Sequence, residues 1–149
     1  MDSPSAIRIL VVDDAEVVRK AICRILSTHP ECQVVSEASN AGTGIENARR
    51  HQPDVILLDI SMPEMNGLQA ISLIRNVAPH AEILMVTQHD SRFFVREAFA
   101  AGARGFLNKS DLGAELANAV SSVFLKNRFL SKSVTPISSS RTVKSPFGV

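Results

Sequence analysis

Five short apolar runs recur at a steady interval along the chain. They are Ile7–Val12, Val34 and Val35 with their flanks, Val55–Leu58, residues 83–86, and a weaker run at 105–107. Runs of this length, rich in Val and Ile and nearly unbroken by polar residues, predict strands buried on both faces. The stretches between them carry a helical period instead. Val18, Ala21, Ile22 and Ile25 share one face after the first run, and Leu112, Leu116, Ala119, Val120 and Val123 share one after the last. Further helices are predicted over 42–50, 68–77 and 91–101, the last two stopped by Pro79 and Gly102. The order is strand then helix, five times over. It predicts an α/β fold: a five-stranded parallel sheet, doubly wound, with right-handed crossovers. In such folds ligands bind at the C-terminal ends of the strands, so that edge is where chemistry is sought first.

Past Lys126 the character of the chain changes. Residues 128–149 hold six Ser, two Thr and two Pro, and four basic residues with no acid. The expected organisation is one folded domain over 1–127, followed by a Ser-rich basic linker or disordered tail over 128–149. With a net charge of +1 overall and +4 in the tail, the body carries about −3, which argues against the body gripping a phosphate backbone. At 149 residues, 45% apolar and 21% charged, the composition excludes a collagen, a disordered chain and a disulfide scaffold. No apolar run reaches the ~18 residues of a membrane helix. The first residues show no leader pattern, and Cys23 and Cys32 match no metal or redox spacing. A cytoplasmic, membrane-free protein with free thiols is expected.

The residues just beyond each strand are Asp13 and Asp14, then Asp59, then Thr87, then Lys109. Each has an ordinary explanation when taken alone. Asp13 and Asp14 suit a helix cap, Asp59 a turn, Thr87 a strand end, and Lys109 a solvated surface. Together they place three carboxylates, a hydroxyl and an ammonium on one sheet edge. Carboxylates so crowded raise one another's pKa unless a cation is present. A hard divalent ion with oxygen ligands is the natural partner, and Mg²⁺ suits one or two carboxylates plus a phosphate. Other candidates are weaker. Gly42-Thr43-Gly44 reads as a turn into a helix rather than a dinucleotide fingerprint, and His89 as a solvated loop residue. Phe93, Phe94, Val95 and Phe99 cannot all face inward on a 3.6-residue period, so at least one should be exposed.

Asp13-Asp14, the segment Asp59-Ile-Ser-Met-Pro-Glu-Met-Asn-Gly67, Thr87 and Lys109 resemble the receiver domain of two-component response regulators. Val18-Arg19, Ala101-Gly102-Ala103 and Phe129-Leu130-Ser131 are similar to its NarL/LuxR-type subfamily. The resemblance implies that Asp59 accepts a phosphoryl group from a histidine kinase or phosphotransfer protein. It implies Mg²⁺ on Asp13, Asp14, Asp59 and the backbone carbonyl of Ser61, with Thr87 and Lys109 holding the phosphoryl oxygens. Thr87 and Phe106 would form the switch. The surface of the fourth helix, fifth strand and fifth helix would then change, serving a partner, a homodimer or a DNA-binding output domain absent from this chain. Such a protein is a signalling switch, not an enzyme. Ser110 stands where many receivers have proline after a cis bond, a geometry costly before serine. Gln88 stands where a small residue is common, and its longer side chain predicts slowed phosphoryl exchange. A Mg²⁺-dependent phosphohydrolase is the alternative, but Ser61 occupies the position where such an enzyme needs a general acid. A phosphate-independent interaction module is the third reading.

Overall fold

The computed structural model describes residues 6–62, 65–89 and 91–134. Six strands form one parallel sheet: β1 (Ile7–Val12), β2 (Cys32–Ala38), β3 (Val55–Leu58), β4 (Glu82–Thr87), β5 (Gly105–Asn108) and β6 (Phe129–Leu130). They lie in the order β2-β1-β3-β4-β5-β6. Five helices connect them: α1 (Glu16–Ser27), α2 (Ala41–His51), α3 (Gly67–Val77), α4 (Arg92–Ala101) and α5 (Leu112–Phe124).

Side chains alternate across a strand with a period of two, so each central strand feeds two cores. Leu10, Val12, Ile56, Leu58, Ile83, Met85 and Phe106 face α2, α3 and α4. Ile9, Val11, Leu57, Leu84, Val86 and Leu107 face α1 and α5. This two-sided burial is why β1, β3 and β4 read as nearly unbroken apolar runs. Each such aliphatic side chain contributes roughly 1.5–3 kcal/mol on leaving water. The helix ends follow local chemistry. Asn40 and Ser91 accept from backbone N–H groups at the starts of α2 and α4. Asn66 and Gln69 form a reciprocal capping box on α3. Gly102, at φ +117°, ends α4 in the left-handed region.

The expected count of five strands is one short, and the sixth lies past the expected domain limit at 127. β6 runs parallel to β5, pairing Gly105 with Phe129 and Phe106 with Leu130. Phe129, Ser131 and Val134 are buried. A two-residue strand is too short to show a period, and its polar surroundings read as linker. Residues 135–149, the remainder of the predicted tail, lie outside the described residues. The Lys109–Ser110 bond is trans, since no described peptide bond is cis.

Strand order reverses between β1 and β3, and the C-terminal ends of these two strands flank the crevice expected at such a switch point. No described helix is long and apolar enough to cross a membrane.

Candidate functional site

Asp13 follows β1 and Asp59 follows β3, and the two strands are hydrogen-bonded neighbours. The backbone of Asp13 is fixed on both sides: its N–H donates to the Ala38 carbonyl, and its own carbonyl accepts from Arg19. The Asp59 N–H donates to the Val12 carbonyl at 3.2 Å. Beyond Asp59 the chain doubles back, and the Gly67 N–H reaches the Ile60 carbonyl. A Cβ at Gly67 would lie 2.2 Å from the Asp59 carbonyl oxygen, so only glycine permits this close return. Pro63 and Glu64, within the same motif, lie outside the described residues.

One carboxylate oxygen from each of Asp13, Asp14 and Asp59 falls within 4.8 Å of the others. Asp13 and Asp59 are buried and Asp14 is exposed. Lys109, at the end of β5, crosses to both buried acids: its Nζ lies 3.0 Å from Asp13 Oδ2 and 3.1 Å from Asp59 Oδ2. Asp59 Oδ1 accepts from the Ser61 N–H at 3.4 Å, and Asp13 Oδ1 from the Ala15 N–H at 2.8 Å. Asp13 Oδ2 is in ion-pair reach of Lys109 but receives no aligned hydrogen bond. The helix-cap reading of these acids is not what the structure holds: the cap of α1 is Ala15, with no side-chain cap bond.

Three carboxylates against one ammonium leave two uncompensated negative charges. Burial, and then the Asp59 charge, push the Asp13 carboxyl above its ordinary value, although the Ala15 N–H and Lys109 oppose them. Burial pulls the Lys109 ammonium down, but pairing with Asp13 and Asp59 outweighs it and holds Lys109 above its ordinary value. The donors are all hard oxygens, and they converge. That set fits a Mg²⁺-sized divalent ion.

Thr87 ends β4 in register with Asn108 of β5, next to Lys109. It is fully buried, and its hydroxyl oxygen accepts from the His89 N–H at 3.1 Å. Phe106 is fully buried in the same cluster as Met85, Val95 and Ala98. As expected for helix 4, one aromatic is exposed: Phe93, at 54%. Sequence reasoning undervalued His89. Its Nε2 lies 2.7 Å from the Ser61 hydroxyl, and its ring stacks edge-on with Phe94 at 5.9 Å. Both residues stand two positions beyond a strand-end site residue, which was the available signal. Ser61 and Phe94 line, with Asp14, Ile60, Met62 and Asn66, an open cleft of about 500 Å³. Gln88 is exposed.

The family model of the response regulator receiver domain matches residues 9–121. This chain belongs to that family. It is similar to the transcriptional regulatory protein MctR of Rhizobium johnstonii, at 35% identity over 117 residues, covering 78% of this chain and 55% of that one. It is also similar to the response regulator GacA of Pseudomonas viridiflava, at 34% identity over 128 residues, covering 86% of this chain and 60% of that one. Among solved structures, a LuxR-family two-component response regulator from Aurantimonas sp. SI85-9A1 superposes with a TM-score of 0.83 at 35% identity, covering 87% of this chain and 93% of that one. The signal receiver domain of the response regulator NarL from Mycobacterium tuberculosis gives 0.71 at 31% identity, covering 79% and 98%. The receiver thus spans a little over half the length of the curated relatives it matches.

Proposed function

We propose that this receiver is a stoichiometric phosphoryl switch with Asp59 as the acceptor. The observation that carries the reading is the convergence of Asp13, Asp14 and Asp59 on one sheet edge, with Lys109 within ion-pair reach of the two buried acids. A carboxylate is a weak nucleophile toward phosphorus and needs charge neutralisation rather than a base. Asp13, Asp14, Asp59 and the Ser61 backbone carbonyl would hold Mg²⁺. When bound, the ion supplies positive charge beside the transferred oxygens.

An Asp59 carboxylate oxygen forms the new O–P bond while the P–N bond of a phosphohistidine on the donor protein breaks. The imidazole leaves with the electron pair and takes a proton from solvent. Lys109 then has a phosphoryl oxygen as a second anionic partner, and Thr87 turns its hydroxyl toward the same group. The phosphoryl oxygens, carrying about −1.5 to −2 in place of the carboxylate's single charge, bias two states of the β4–α4 loop and of Phe106. The α4–β5–α5 surface carries that bias to a protein partner, a second copy, or a DNA-binding domain outside this chain. The donors are a histidine kinase or phosphotransfer protein in the cytoplasm, and the role is that of an acceptor rather than a turnover catalyst.

The test is incubation of the protein with acetyl phosphate and Mg²⁺, followed by a phosphate-affinity gel. The wild type shifts and Asp59→Asn does not. A shift that survives Asp59→Asn places the acceptor elsewhere.

A further inference from the structure

We propose that Ser131 is a positioning residue for Lys109, and that the strand after α5 is thereby coupled to the phosphoryl site. The proposal rests on the reading of Asp59 as acceptor and adds a regulatory contact to it. Lys109 lies between two backbone N–H groups that are each held by a side chain. The Ser110 N–H donates to Asn108 Oδ1 at 2.8 Å, a local bond. The Asn108 N–H donates to the Ser131 hydroxyl at 2.9 Å, a buried bond spanning 23 residues. Ser110 has no ring to restrict its φ, so these bonds set how the turn presents the ammonium.

The bond to Ser131 is one rung of a longer seam. Phe129 N–H donates to the Arg104 carbonyl and Ser131 N–H to the Phe106 carbonyl. The Lys132 N–H meets Glu115 at 2.9 Å, and the Ser133 N–H and hydroxyl meet Asp111 at 3.1 and 2.7 Å. The outer edge of β5 is therefore satisfied by residues 129–131, with Lys132 and Ser133 pinned to Glu115 and Asp111 beside it, and the same strand carries both Phe106 and the approach to Lys109. Without that seam the edge N–H and C=O groups of β5 would face water. Coupling between two sites is reciprocal. If the docked segment sets Lys109, then a phosphoryl group that engages Lys109 alters the docking by the same factor, and the chain that continues past residue 134 receives the signal through hydrogen bonds along β5.

The test uses the full chain with acetyl phosphate and Mg²⁺. Ser131→Ala removes the hydroxyl that accepts from the Asn108 N–H and should slow phosphorylation of Asp59 about tenfold, within the ~100-fold that a small misplacement can cost. Ser131→Thr keeps the hydroxyl and should recover most of the rate. Ile22→Val, a core change on α1 that touches none of the hydrogen bonds at Asn108, Ser110 and Ser131, should leave the rate unchanged although it lowers stability. In the wild type, amide hydrogen exchange at Phe129 and Ser131 should change severalfold on phosphorylation, and this measurement decides alone should Ser131→Ala not fold. Wild-type rates in Ser131→Ala, together with unchanged exchange at 129–134 in a protein that does take up phosphoryl on Asp59, overturn the coupling and leave the acceptor standing. A wild type that takes up no phosphoryl overturns both.

Discussion

Carboxylates are buried at opposite ends of the sheet, and their surroundings push them in opposite directions. At the N-terminal ends of the strands, Glu82 is paired with Arg104 at 3.1 Å and Lys126 at 2.8 Å. Burial raises its pKa, but the two cations outweigh burial and hold the carboxyl below its ordinary value. At the C-terminal ends, Asp13 and Asp59 share the single ammonium of Lys109 with Asp14 close by, and Asp13 is held above its ordinary value. One end is a completed ion-pair network that ties α5 to the base of β4. The other is short of positive charge. The difference separates an acid neutralised within the fold from acids left with excess negative charge: burial is common to both, and the count of cations decides.

The comparison can be broken at its charge-deficient end first. Lys109→Met should slow phosphorylation by acetyl phosphate roughly 100-fold, the scale of losing one preorganised charge at a reacting oxygen. Phosphorylation at the wild-type rate would show that the ammonium serves the fold alone.

At the other end, Glu82→Gln should lower unfolding stability by about 1–2 kcal/mol, as for a buried charge-assisted network losing its anion. Denaturant unfolding measures it, and the phosphorylation rate should not change. Because the folded pKa of Glu82 is depressed, its contribution is present above the ordinary value of 4.5 and is lost as pH falls through the folded value. The stability gap between wild type and Glu82→Gln should therefore close in acid and stay open at neutral pH. A gap independent of pH would mean that the effect is packing rather than charge.

The smallest effect belongs to Lys126→Ala. Its side chain is 66% exposed, and Glu82 retains Arg104, so the loss should be under ~1 kcal/mol. A loss as large as that of Glu82→Gln would show that Lys126, not the pair of cations, completes the network.

The sheet was legible where burial is two-sided. Val55–Leu58 has no exposed residue, so its run is unbroken. The edge strand β2 showed only Val34 and Val35, because Gln33, Ser36 and Glu37 face outward or half outward. β6 was hidden because its pairing is made by backbone groups, with only Phe129 and Leu130 to mark it. Asp13, Asp59 and Lys109 were legible because strand order alone brings the ends of β1, β3 and β5 to one edge. The contact of His89 with Ser61 joins two loops across 28 positions, and no local pattern encodes it. The Glu82 network escaped notice for a related reason: its cations come from the turn before β5 and the end of α5, which only packing brings together.

The most direct test of the charge-deficient edge is thermal unfolding with and without Mg²⁺ at neutral pH. The account predicts that tenfold excess of ion over its Kd stabilises the wild type by about 1.4 kcal/mol. The Tm rise should survive in Glu82→Gln and vanish in Asp13→Asn. No rise in the wild type, or an equal rise in Asp13→Asn, would contradict the claim that these acids form a divalent-ion site.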